Sequence, residues 1–109
     1  MITNTNKLDK HQLKKLLEYN NAQVVKDHGT YYTITCPNCK EPEAFILYTG
    51  EMRWIKCNRE NNCYKDNRPA YNKKLWSFLA ESQSLDKNDS SAMVKYINET
   101  LAKPDLPSS

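Results

Sequence analysis

The sequence predicts an α+β fold: a small antiparallel sheet flanked by one N-terminal helix and two C-terminal helices. Three observations carry this reading. Leucines at helical spacing open the chain, four short β-branched and aromatic runs fill its middle, and apolar residues at helical spacing return beyond residue 67. With 109 residues this is one domain. A chain of that size buries somewhat over roughly 60% of its unfolded surface, so its core is modest and a metal clamp is a fitting supplement.

The first element, over 7–20, is a capped helix. Asp9 is placed as N-cap, Gln12 as its capping-box partner, and Leu8 as a staple onto Leu13. Leu13, Leu16 and Leu17 form its apolar stripe, which Asn20 continues, while Lys10, Lys14 and Lys15 read as a solvated face. Residues 1–6 are expected to be disordered. A sheet over 22–66 follows. Ala22–Lys26 and Thr30–Thr35 are strands joined at Asp27-His28-Gly29, and Glu43–Tyr48 and Met52–Cys57 are strands joined at Thr49-Gly50-Glu51. Alternation in the fourth strand puts Trp54 and Lys56 on one face and Arg53, Ile55 and Cys57 on the other.

A helical part over 67–103 completes the domain. Asn67 and Pro69 suit the start of a helix whose stripe is Tyr71, Leu75, Phe78 and Leu79. Ser84–Asn88 is a polar linker. Asp89 or Ser90 then caps a last helix with Met93, Tyr96 or Ile97, and Leu101 on its apolar face. Residues 104–109 read as a flexible tail or linker.

Four cysteines stand as two pairs, Cys36-Pro-Asn-Cys39 and Cys57 with Cys63, separated by seventeen residues. A tetrahedral ion held by four thiolates needs two close pairs brought together by a hairpin, and Pro37 fixes the backbone just after the first sulfur. One structural Zn2+ on Cys36, Cys39, Cys57 and Cys63 is therefore expected, although a four-thiolate site also accepts iron. Disulfides would suit a small secreted domain, but residues 1–15 carry no apolar h-region or cleavage signature. A redox C-x2-C lacks a surrounding βαβ pattern and leaves the second pair unexplained. A deaminase would need a His-x-Glu element upstream. His11 and His28 read as surface residues, and neither a paired-carboxylate constellation nor a spare histidine ligand suggests catalysis.

The formal charge is +3, or about +1 once four thiolates and a divalent ion are counted. Its distribution is more telling. Between residues 53 and 74 seven cations (Arg53, Lys56, Arg59, Lys65, Arg68, Lys73 and Lys74) face only Glu60 and Asp66. Single-stranded DNA is held by cations along its phosphates and aromatics under its bases. Arg53, Trp54, Lys56, Arg59, Tyr64, Lys65 and Arg68 are the candidate contacts, against the plainer reading that Trp54 packs in the sheet and Tyr64 shields the metal. No apolar run approaches the roughly 18 residues of a membrane span, so no membrane partner and a cytoplasmic location are expected.

Strand ends and turns that carry paired cysteines are the layout of a zinc ribbon. The run Tyr31-Tyr-Thr-Ile-Thr-Cys-Pro-Asn-Cys39, then Glu43-Ala-Phe-Ile-Leu-Tyr48, Trp54-Ile-Lys-Cys-Asn-Arg-Glu-Asn-Asn-Cys63 and Leu75-Trp-Ser-Phe-Leu79 resembles the zinc-binding domain of DnaG-type and phage-type DNA primases over about half of the chain. The last ligand pair departs from that family's usual C-x2-C, and Tyr64-Lys-Asp-Asn-Arg68 replaces its glycine-containing turn. The resemblance implies a non-catalytic accessory module that selects single-stranded template and supports primer initiation. Its polymerase or helicase partner would lie on another domain or chain. The competing expectation is a zinc-stabilised platform that docks on a replication or host protein.

Overall fold

The computed structural model describes residues 2–57 and 71–106. Helix α1 (Lys10–Tyr19) leads into strands β1 (Val24–Asp27), β2 (Tyr31–Ile34), β3 (Ala44–Leu47), β4 (Trp54–Cys57) and β5 (Asn72–Lys74), followed by helices α2 (Leu75–Gln83) and α3 (Ser90–Leu101). The five strands form one antiparallel sheet in sequence order. This is the expected α+β class, with one strand more than the sequence suggested.

Local chemistry explains the helix starts. The Gln12 N–H donates to Asp9 Oδ1 at 2.8 Å while the Asp9 N–H donates to Gln12 Oε1 at 3.0 Å, a reciprocal capping box. Asp89 caps α3 by accepting from the Ala92 N–H at 3.1 Å. Gly50 supplies the positive φ (+70°) needed between β3 and β4, and Gly29 does so (+90°) between β1 and β2. The core lies between the inner sheet face and the helices. Tyr32, Ile34, Ala44, Ile46 and Ile55 point inward from the sheet, and Leu13, Leu16, Leu17, Leu79, Met93 and Ile97 meet them from the helices.

Two polar devices tie the helices together. Buried Asn20 donates to Leu16 O at 2.7 Å and to the Tyr96 hydroxyl at 2.8 Å, and accepts from Gln83 Nε2 at 2.8 Å, linking α1, α2 and α3. Lys15 Nζ donates to Leu101 O at 3.2 Å and Lys103 O at 2.8 Å, satisfying carbonyls at the end of α3.

Asn98 of α3 clasps the Ile2 backbone through its Oδ1 (3.0 Å) and Nδ2 (2.8 Å), and Thr5 and Leu8 are buried. Residues 104 and 105 contact α1. The Tyr19 hydroxyl donates to Pro104 O at 2.6 Å, and Lys15 lies 3.4 Å from the Asp105 carboxylate.

The segment before α2 is the largest departure. Tyr71 and Leu75 are four residues apart, which reads as one helical stripe, yet Asn72–Lys74 pairs with β4 in the register Trp54↔Lys74, Ile55↔Lys73 and Lys56↔Asn72. The Cys57 N–H donates to Tyr71 O and the Leu75 N–H to Arg53 O, at 3.0 and 2.8 Å. These bonds satisfy a β4 edge that would otherwise be open, and that demand outweighs the helix propensity of two lysines. The proposed helix start at Asn67 and Pro69 lies outside the described residues.

Candidate metal centre and open sheet face

Cys36 and Cys39 sit in the β2–β3 connection, where a tight knuckle is built from backbone bonds. The Lys40 N–H donates to Cys36 O at 3.0 Å, the Cys36 N–H donates to Glu41 O at 2.8 Å, and Lys40 takes the left-handed φ of 64° that closes the turn. The Asn38 N–H approaches Cys36 Sγ at 3.4 Å. Cys57 ends β4, and its register partner is Ala44 at the start of β3. The hairpin therefore delivers Cys57 to the knuckle.

The sulfurs of Cys36, Cys39 and Cys57 all lie within 4.8 Å of one another. With Zn–S bonds of about 2.3 Å, a tetrahedral site has S···S edges of about 3.8 Å. The Cys39–Cys57 sulfurs are 3.8 Å apart, which matches that edge and is far longer than a disulfide bond of about 2.05 Å. The three thiols thus form a cluster suited to a metal ion. Cys36 and Cys57 are buried in the core and Cys39 is half-exposed. Cys63 lies outside the described residues. Tyr71 stands over this corner, and burial, helped by the negative charge of Glu81 and Cys36, pushes its phenol well above the ordinary range.

The sheet's outer face carries the second constellation. Tyr31, Thr33, Phe45, Trp54 and Lys56 alternate with the buried inner residues of β2, β3 and β4. Tyr31 stacks on His28 with ring centroids 4.3 Å apart and meets Phe45 edge-on at 6.1 Å. Phe45 sits opposite Lys56, and Trp54 opposite Lys74, whose ammonium is 5.6 Å from the indole centroid. By register Thr33, Phe45, Lys56 and Asn72 lie across one line of the sheet, whereas Tyr31 pairs with exposed Leu47 and Trp54 with Lys74, so three half-buried aromatics and two exposed lysines form a staggered patch from β2 to β5.

Among the candidate DNA contacts, Trp54 and Lys56 lie on this face. Arg53 does not. It is only 5% exposed and points inward, its Nη2 donating to Leu8 O at 2.8 Å and its Nη1 to Gly50 O at 3.0 Å. The reason is the alternation that sends Trp54 and Lys56 outward: the residue beside them must face the core, where carbonyls take up the guanidinium. Arg59, Tyr64, Lys65 and Arg68 lie outside the described residues. Tyr31 and Phe45 went unnoticed in the sequence, although the period-two pattern that predicts their strands also places both on the Trp54 face.

No protein-family model, curated protein or solved structure matches this chain. Among the described residues, no helix is long and apolar enough to cross a membrane.

Proposed function

We propose that this chain is a zinc-ribbon module that holds single-stranded DNA across the open face of its sheet. The observation that carries the reading is the outer-face patch of Tyr31, Phe45 and Trp54, with Lys56 opposite Phe45 and Lys74 opposite Trp54. Aromatics offer stacking surfaces to unpaired bases, and lysines meet the phosphates between them; sheet faces of this kind stack roughly two or three bases. One Zn2+ would be held by Cys36, Cys39 and Cys57, with Cys63 as fourth ligand. Four protein ligands leave no open position, so the ion supplies structure and the module performs no chemistry of its own. The likeness of the cysteine runs to primase zinc-binding domains supports a role in template selection during primer synthesis, with a polymerase domain or helicase as partner.

The test is a titration of the metal-loaded protein with oligothymidylate at several salt concentrations. Trp54→Ala should weaken binding by about 1–3 kcal/mol, roughly 5- to 150-fold. Lys56→Glu should weaken it and flatten the salt dependence. Wild-type affinity and slope in both variants would remove the sheet face from the account. Docking on a protein is the second reading. Met52 and Leu47 favour it, being 58% and 37% exposed around the β3–β4 turn. Negligible DNA affinity beside tight capture of a replication protein would favour that reading.

A further inference from the structure

At the β5 edge the outer face runs into an open groove of about 640 Å³. Trp54 and Lys74 form its sheet side, Ser77 and Glu81 of α2 its wall, and Leu85 and Lys87 of the α2–α3 connection its far rim. The charges along it are unequally committed. Glu81 is neutralised by an ion pair with Lys73. Asp86 serves its own loop, its carboxylate accepting the Asn88 N–H at 2.9 Å. Lys74 reaches over the Trp54 ring, and no carboxylate among the described residues pairs with Lys74 or Lys87. The rim is nonetheless fixed in place, because the Trp76 indole N–H donates to Lys87 O at 2.8 Å. The groove therefore presents one aromatic wall, two uncommitted cations and a firmly anchored rim.

We propose that the groove is the exit path of the single strand. Resting on the nucleic-acid reading above, this assigns the Trp54 ring to the last stacked base, Lys74 to its phosphate and Lys87 to a phosphate further along. An acidic peptide would use the two lysines but has no need of an indole on the sheet face that also carries Phe45 and Tyr31. A polyanion that alternates flat rings with single charges uses both.

The experiment compares a short oligothymidylate of about 4 nucleotides with one of about 12, a range that brackets sites on single folds of this size. At about 0.1 M salt, loss of one phosphate contact on a single strand costs about fivefold in affinity and lowers the salt slope by about 0.7. Lys87→Gln, at an exposed side chain, should show that loss on the long strand only, and its unchanged grip on the short strand certifies the fold. Lys56→Gln should weaken both lengths. If Lys87→Gln binds the long strand like wild type while Lys56→Gln is impaired on both, the exit path is wrong and the sheet reading stands. An equal loss on both lengths in Lys87→Gln also overturns the path. If neither variant changes anything, path and sheet reading fail together.

Discussion

Arg53 separates a structural from a binding role more sharply than any other residue in this chain. Its cationic neighbours in sequence suggest a phosphate contact, whereas its guanidinium is enclosed by main-chain carbonyls. Replacing it with Met keeps most of the apolar stem and removes the donors. Two good bonds disappear, to Leu8 O at 2.8 Å and Gly50 O at 3.0 Å, while those to Tyr48 O and Met52 O, at 3.4 and 3.5 Å, count for little. Hydrogen bonds from a charged donor contribute about 1.5–3 kcal/mol each. Against this, Met relieves the buried Nε, which has no partner among the described residues, and the cost of burying a cation that no described carboxylate balances. The net loss should be about 2–4 kcal/mol, a fall in Tm of roughly 10–20 °C for a domain of this size. Thermal melts followed by circular dichroism would measure it, with oligothymidylate titrations below the melting range alongside. A normal melting temperature with a flattened salt slope would refute the structural assignment and return Arg53 to the DNA-binding set.

Removal of the metal should be more severe: structural zinc contributes about 10–16 kcal/mol apparent against a net domain stability of about 5–15 kcal/mol. A strong chelator should therefore unfold at least residues 30–68, with DNA binding lost in step, and elemental analysis of the reduced protein should return one ion per chain, zinc rather than iron. Asn20→Leu should cost about 2–4 kcal/mol in urea unfolding, since Gln83 and Tyr96 are left with unmet polar groups in a partly buried site. Asp27 makes stability depend on acidity. The Tyr48 hydroxyl, then the Gly29 N–H and Lys10, hold its carboxyl below the ordinary 3.8. A depressed folded pKa means the contribution is present above about pH 4 and fades as pH falls through the folded value. Asp27→Asn should thus lower the melting temperature at pH 7 and approach wild type as the pH is taken down below about 4. Tyr32 acts at the other extreme, where burial, with the charge of Asp27 and others, raises its phenol to about 12. Stability present below pH 10 should be lost between pH 10 and about 12, and tyrosinate absorbance should show Tyr32 ionising late together with Tyr71 and Tyr48, a late component that Tyr32→Phe should reduce.

Elements with strong local signals were legible in the sequence. The Asp9–Gln12 capping box, the Asp89 cap, the four β-rich runs and the leucine stripe each rest on contacts within a few residues. Cys36, Cys39 and Cys57 were legible for the same reason, since a C-x2-C knuckle and a strand-end cysteine state their geometry in their spacing. What stayed hidden depends on partners distant in sequence. Strand β5 exists because β4 has an edge to fill, and nothing in Asn72-Lys-Lys74 itself says so. The bond that places Ile2 comes from Asn98, 96 positions away. Arg53 was misjudged because charge counts ignore which face of a strand a residue occupies. The alternation that sets Trp54 outward already fixed that face.

Strand β4 joins these threads, because its four residues serve both constellations. Of its inward side chains only Ile55 is an ordinary core aliphatic; Cys57 belongs to the sulfur cluster, and Arg53, just before the strand, to the carbonyl cage. Register in a sheet is usually enforced by an apolar face, and a slip of one residue exchanges the faces entirely. Here that enforcement comes from the two ends, the cysteine cluster at Cys57 and a guanidinium at Arg53, with a single isoleucine between them. Such an arrangement suits a chain with mean hydropathy of −0.86, which has little apolar bulk to spend on a strand whose other face must stay open. It also explains why the outer face can be rich in aromatics without collapsing inward. Trp54 and Lys56 are held toward solvent by what their immediate neighbours bind, so the cysteine cluster positions the aromatic patch although it lies on the opposite side of the sheet.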